Sequence, residues 1–208
     1  MINTDEYIDI DSYSVLRHVG NGIFTKVYEV KSKKTNEIYA ASIYINDIDK
    51  NPEYFSSMLH RVSILLRLSH PALIKFYGIS QYDFNKENHP IILSEFMRHG
   101  TMCQVVDKEQ MKKSPTNWNA TKKLINIYGI ASCMQYLHSK NIIHKDLMPE
   151  TIFEDENFYP KIRPLDYSTN LTASNLSLGT PLYLAPEIAE DEDPSIYSDI
   201  FSYGMTVY

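Results

Sequence analysis

The feature that most constrains the fold is a change of hydrophobic pattern along the chain. The first half contains short runs of β-branched and aromatic residues separated by turn-forming residues, a pattern typical of β-strands. Among them, apolar residues recur at helical spacing after Pro52, a residue type that favours the first turn of a helix. The predicted strands are 13–19, 24–30, 37–45, 73–80 and 90–97, and the helical stripe consists of Phe55, Met58, Leu59, Val62, Leu65 and Leu66.

The second half has a mainly helical pattern. A stripe of apolar residues predicts a helix over 120–139, and a further helix is expected to begin near Ser198. Between them we expect a short hairpin through Phe153 and Ile162 and then a Ser/Thr-rich loop, 168–180. The apolar stripe of the first helix consists of Leu124, Ile127, Tyr128, Ala131, Met134 and Leu137.

Strands with one helix, followed mostly by helices, predict an α+β fold with two lobes. The expected parts are an acidic lead-in with little to bury, 1–12, a small and mostly antiparallel β lobe, 13–97, and a larger helical lobe, 98–208.

Composition excludes several classes of protein. The 208 residues carry 20 Lys and Arg against 26 Asp and Glu, a net charge of −6 without a basic stripe, which argues against a nucleic-acid partner. No apolar run reaches the ~18 residues of a membrane span, and the acidic start is unlike a signal peptide. Cys103 and Cys133 lack metal-binding spacing, so we expect a cytoplasmic protein without disulfides or zinc.

Six motifs in a fixed order resemble those of a protein kinase domain, and the resemblance runs from about residue 13 to the last residue. The sequence as a whole is most similar to the tyrosine-kinase-like group, and LMPE (147–150) and GTPLYLAPE (179–187) look like the serine/threonine side. The motifs are GNGIFTKV (20–27), YAAS (39–42), SEFM (94–97), YLHSKNIIHKDLMPET (136–151), GTPLYLAPE (179–187) and SDIFSYG (198–204).

The resemblance implies a protein-kinase-like two-lobe fold with a nucleotide pocket and a catalytic loop. A glycine-rich turn would cover the ATP phosphates, and Asp146 stands where the family has its catalytic base. Leu65, Phe76, His144 and Leu165 would form an apolar column, which Asp199 would anchor. The expected nucleotide-binding residues are Gly20, Gly22, Val27, Ala40, Glu95, Met97 and Phe153.

Most of the charged groups that grip triphosphate and metal are replaced. Ser42 stands at the strand lysine and Met148 at the catalytic-loop lysine, so neither offers a charge to phosphate. Thr151 replaces the metal-binding asparagine and Pro164, which has no ligand atom, replaces the metal-binding aspartate, unless Asp166 serves two residues later. We therefore expect weak ATP binding at most and no Mg²⁺ site, and a vestigial role for Asp146.

Two other basic residues are candidates for the missing charge. Lys26 alternates with Thr25 and Val27, so it is expected to face solvent. Arg61 stands at the helix glutamate; it either reaches into the vacated site and pairs with Asp166 or turns into solvent.

These observations favour a pseudokinase that binds protein partners as a scaffold or allosteric module. The alternatives are a divergent active serine/threonine kinase that uses Asp146 with Asp166, and a non-functional remnant. The family pattern continues beyond the helix near Ser198, so the resemblance also predicts that the helical lobe is incomplete here.

Overall fold

The computed structural model describes residues 6–22, 25–45, 52–164, 181–190 and 192–208, except for the side chains of 52–55, 57, 61 and 181. The chain divides into two compact units. Unit 1 comprises Met1–Leu68 and Lys75–Phe96, and unit 2 comprises Ser69–Ile74 and Met97–Tyr208.

Unit 1 is built on a five-stranded antiparallel sheet in the order β1-β2-β3-β5-β4. Its single long helix in the described segments, α1, lies between β3 and β4 in the chain. The elements are β1 (Tyr13–Asn21), β2 (Thr25–Ser32), β3 (Ile38–Tyr44), α1 (Pro52–Leu65), β4 (Phe76–Ser80) and β5 (Ile91–Glu95).

The two faces of this sheet bury different clusters, because side chains alternate along each strand. One cluster is built on Val30, Ala41 and Leu93, and residue Ile10 of the lead-in packs into it. On the other face Tyr44 and Ile92 pack with the α1 residues Met58 and Val62.

Residues 6–12 dock onto unit 1, so the expectation that the lead-in has little to bury is wrong for this part. Tyr7 forms a bridge with Ile79, and Ile10 is only 5% exposed. Ile8 and Ile10 are apolar and pack into the core of unit 1. The acidic residues around them made this segment look wholly polar in the sequence.

Unit 2 contains four helices and one hairpin among its described residues. Both long helices begin at side-chain caps, Asn119 for α3 and Ser195 for α5. The elements are α2 (Met102–Gln110), α3 (Ala120–Ser139), β6 (Ile152–Glu154), β7 (Pro160–Ile162), α4 (Pro186–Ala189) and α5 (Ile196–Val207).

The predicted bounds of α3 are confirmed, and its predicted apolar face is right for Met134 and Leu137 but wrong for Leu124 and Tyr128. Leu124 and Tyr128 are 67% and 77% exposed. The buried face instead consists of Asn126, Ile130, Cys133, Met134 and Leu137. Both stripes satisfy helical spacing, and a hydrophobicity pattern does not place the polar Asn126 inside. Its amide is buried because it donates hydrogen bonds to the carbonyls of Lys122 and Phe158, at 3.0 and 3.1 Å.

The α+β class is confirmed by the antiparallel sheet of unit 1 and the helices of unit 2. Strand β4 begins at Phe76, later than predicted, because Leu73 instead forms a bridge with Ile162 in unit 2. Helix α2 was not predicted. Across the described segments no helix has the length and apolar character needed to cross a lipid bilayer.

Candidate functional site

The glycine-rich turn of unit 1 is closed by Thr25. The Gly22 N–H donates to the Thr25 carbonyl at 2.8 Å, and a Cβ at Gly22 would lie 2.6 Å from Thr25 Oγ1. Gly20 pairs with Val27 and has open space where a Cβ would point. A side chain at position 22 would therefore collide with the buried Thr25, whereas position 20 has room for one.

The residues expected to line the nucleotide pocket share one face of the sheet. Val27 pairs with Ser42, and Ala40, two residues before Ser42, pairs with Ser94. Directly paired residues point to the same face, so these four side chains lie together. Ser42 is buried there and brings no charge, and Lys26 is exposed, as expected from strand alternation.

This face also carries an ion pair that the sequence motifs did not reveal. Glu29 is 8% exposed, pairs in register with Ala40, and accepts a hydrogen bond from Arg17 Nε at 2.6 Å. The two charges neutralise each other, so Arg17 is not a free cation for an anionic ligand.

The two expected residues of the SEFM motif fall in different units. Glu95 ends β5, where its N–H donates to the Lys75 carbonyl at 2.8 Å and its carboxylate accepts from the Lys75 N–H at 3.3 Å. Met97 begins the long segment of unit 2 and is half-buried.

In unit 2 the catalytic loop is fixed to helix α5 by Asp199. This carboxylate is 1% exposed and accepts from the N–H of His144 at 2.7 Å and of Lys145 at 2.8 Å. It also lies 2.8 Å from His138 Nε2. Lys145 has a φ of 70°, a left-handed conformation that a lysine rarely adopts, so these bonds stabilise a strained backbone. The prediction that Asp199 anchors the apolar column is confirmed for its contact with His144, and the column itself stays a prediction.

His144 bridges the loop to the residue before Pro164. Its Nε2 donates to the Arg163 carbonyl at 2.9 Å, while the N–H of Asp146 donates to its Nδ1 at 3.3 Å. These contacts require a neutral ring, and burial lowers the pKa of His144 accordingly.

Asp146 keeps the chemistry of a potential base. It is half-buried, and its pKa is raised to about 6 by burial and, to a lesser extent, by the negative charge of Glu150. At neutral pH the carboxylate is therefore mostly ionised and close to the pKa that suits general-base catalysis.

Positions 151 and 164 do not offer the ligands that a kinase uses for magnesium. Thr151 Oγ1 donates to the carbonyl of Asp146 or Met148, at 2.8 or 3.0 Å, and accepts from the Met148 N–H at 3.1 Å. These bonds hold the hydroxyl in the turn and leave it at most one lone pair, and Pro164 has no ligand atom. The two positions that hold the metal in active kinases thus offer no amide or carboxylate oxygen from their side chains.

Phe153 lies on β6, half-buried, and pairs with Lys161 of β7. Arg163 directly follows β7, and its N–H donates to the Thr151 carbonyl at 3.1 Å. Burial lowers the pKa of the Arg163 guanidinium, and no ion pair joins it to a carboxylate of the described residues. Sequence reasoning overlooked this arginine because the family motif begins one residue later.

Several expected residues lie outside the described part of the chain. These are the side chain of Arg61, the residues Leu165 and Asp166, and the loop 168–180. The pairing of Arg61 with Asp166, the apolar column through Leu165 and the late metal ligand therefore stay predictions.

Comparison with known proteins identifies the family. A model of the protein kinase domain matches residues 13–208. A serine/threonine-protein kinase of Arabidopsis thaliana is 26% identical over 213 residues, covering 100% of this chain and 43% of the relative. A probable serine/threonine-protein kinase of Dictyostelium discoideum is 32% identical, covering 100% of this chain and 22% of the relative. The chain thus spans less than half the length of these relatives. It belongs to the protein kinase domain family, and its α+β architecture is that of the two-lobe kinase fold.

Proposed function

We propose that this protein is a pseudokinase of the tyrosine-kinase-like group, a kinase-fold module that binds protein partners in signalling and transfers no phosphate. The observation that carries the proposal is the commitment of the Thr151 hydroxyl to its own turn, next to a proline at the position of the metal-binding aspartate. Without an amide oxygen at 151 and a carboxylate at 164, the described part of the chain lacks the pair of side chains that holds Mg²⁺ on a triphosphate in the family.

The size of the expected loss supports inactivity. Removing one preorganised group that stabilises developing charge costs about 10²–10³ in rate. Here Ser42, Met148, Thr151 and Pro164 replace four such groups. Their losses do not multiply, since such groups act as a unit, but phosphate transfer falls to a negligible level even after a large discount.

Nucleotide binding is expected to be weak and independent of metal. The pocket face with Val27, Ala40 and Ser42 offers an adenine ring apolar contact. It offers phosphate no charge at Ser42, and Arg17 on the same face is paired with Glu29. The free thiols of Cys103 and Cys133 support our placement of the protein in the reducing cytoplasm.

The second candidate is an active serine/threonine kinase. It is favoured by the ionised Asp146 carboxylate in its anchored loop and by the names of its relatives, which are serine/threonine-protein kinases. In that case Asp166 would have to supply the metal ligand.

A phosphotransfer assay with radiolabelled ATP, with and without Mg²⁺, distinguishes the two. The matched control is Asp146→Asn, which removes the potential base with little change of shape. We expect the wild-type chain to incorporate no more label than the Asp146→Asn variant. Mg²⁺-dependent incorporation that Asp146→Asn abolishes would overturn the proposal.

A further inference from the structure

Glu154 is a carboxylic acid in the interior of unit 2, and no part of the proposed function uses it. It lies on β6, is 0% exposed, and neither of its side-chain oxygens receives a hydrogen bond from a described residue. Its backbone is well placed, since its N–H donates to the Gly100 carbonyl at 3.0 Å. A buried carboxylate with no donors is highly unfavourable, so its protonation state needs an explanation.

Asn126 of α3 supplies the neighbouring polar group. It is 2% exposed, and its side chain lies within hydrogen-bonding reach of Glu154. Both of its amide hydrogens are already used, because Nδ2 donates to the carbonyls of Lys122 and Phe158. These two acceptors also fix the orientation of the amide. The atom left without a partner is Oδ1, which only accepts.

An acceptor on Asn126 and a carboxyl group on Glu154 can bond only if the carboxyl group brings the hydrogen. We propose that Glu154 carries a proton in the folded protein and donates it to Asn126 Oδ1, forming a buried tie between β6 and α3 that opens when the proton leaves. This one hydrogen bond gives Asn126 Oδ1 a donor and engages one of the two Glu154 oxygens. It requires no partner molecule.

The electrostatic surroundings agree with a neutral acid. Burial raises the pKa of Glu154 to about 8. The nearby Asn126 side chain lowers this pKa by a smaller amount, and the negative charge of the adjacent Asp155 raises it further. The other charged or titratable groups on the elements around Glu154 either bind another residue or point away from Glu154. Lys122 lies over the Tyr159 ring, Glu109 binds Lys123, and His99 stacks on Phe158. Asp107 and Lys108 of α2 are exposed, and Lys161 lies on the opposite face of the hairpin.

The tie makes the position of β6 sensitive to pH. Glu154 and Phe153 are neighbours on β6, so their side chains point to opposite faces of the hairpin. The tie to α3 is therefore made on the face opposite Phe153. When the carboxyl group ionises, it has to leave the interior or lose its only bond. Alkaline pH is therefore expected to loosen β6 from α3.

The sign of the pH dependence follows from the raised pKa. The unfolded chain releases the Glu154 proton near pH 4.5, whereas the folded chain keeps it up to about pH 8. This contribution to stability is fully present below pH 4.5 and is lost as the pH rises toward 8. Replacing the acid by a neutral isostere should remove the loss.

The test compares thermal unfolding between pH 5 and pH 8 for the wild-type chain, Glu154→Gln and Glu156→Gln. Glutamine at 154 has an N–H to donate to Asn126 Oδ1, while exposed Glu156 is the matched control for the same chemical change. We expect the melting temperature of the wild type to fall, relative to that of Glu154→Gln, by on the order of 10 °C over this range. Glu156→Gln should behave as the wild type. Parallel curves for the wild type and Glu154→Gln, or a flattened curve for Glu156→Gln, would overturn the proposal.

A direct measurement on the wild-type chain covers the case in which Glu154→Gln does not fold. With ¹³C-labelled glutamate side chains, carbon NMR follows each carboxyl group as the pH is raised. One glutamate should remain protonated at neutral pH and titrate near pH 8. Titration of every glutamate below ~pH 6 would refute a protonated Glu154.

Discussion

Replacing Asp199 by asparagine should detach the catalytic loop from helix α5. The carboxylate accepts from two backbone N–H groups of the loop, at 2.7 and 2.8 Å, with one oxygen for each. Asparagine offers one oxygen and turns an NH₂ group toward the other N–H. The variant therefore loses one charge-assisted bond, weakens the second and leaves a buried donor without an acceptor.

The cost can be estimated from these contacts. A hydrogen bond to a charged group contributes about 1.5–3 kcal/mol, and a buried unsatisfied donor costs about 1–3 kcal/mol. After relaxation we expect a loss of about 3–4 kcal/mol in the free energy of unfolding. For a protein of this size that corresponds to a fall in melting temperature of about 10 °C. The φ of 70° at Lys145 adds to the effect, because the bond from its N–H to Asp199 helps to hold this strained backbone.

The assay is thermal unfolding followed by circular dichroism, with Asp193→Asn as the control. Asp193 is exposed, so the same substitution there should change the melting temperature by less than about 2 °C. If Asp199→Asn melts within the same margin as Asp193→Asn, the anchoring role assigned to this carboxylate is refuted.

Two further predictions concern the glycine turn and the potential base. Gly22→Ala should lose about 1–2 kcal/mol of stability, because its Cβ would lie 2.6 Å from Thr25 Oγ1. Gly20→Ala should lose less, because a Cβ there meets open space. Equal losses of the two variants in denaturant titrations would contradict this. Asp146→Asn should melt a few degrees above the wild type at pH 8, and the gap should close toward pH 4, because the raised pKa of about 6 makes the ionised wild type less stable as the pH rises. A gap independent of pH would count against that assignment.

The sequence was most informative where one physical cause dominated. Strand alternation placed Lys26 on the solvent side, and the motif position of Asp199 predicted an anchor, although not that it binds the backbone of the catalytic loop. Helix α2 was overlooked although Thr101 and Gln104 form a capping box, a local signal that can be read from sequence.

Other features depend on contacts between distant residues. The buried face of α3 is decided by the bond from Asn126 to Phe158, 32 residues away, and two stripes were compatible with the same spacing. Glu154 falls in a short strand where a charged residue would be expected outside. Its burial does not follow from the hydrophobic pattern, because it depends on the neighbouring helix. The Arg17–Glu29 pair does not follow from that pattern either, because it depends on the register of two strands.

The central claim is that this kinase fold no longer holds a metal ion on a nucleotide. The most direct measurement is a titration of ATP, with Mg²⁺ and with excess chelator, that follows the melting temperature. The double variant Thr151→Asn, Pro164→Asp restores both ligand types and serves as the comparison. We predict the same small or absent shift for the wild-type chain in both conditions. A concentration-dependent stabilisation of the wild type that requires Mg²⁺ would contradict the account.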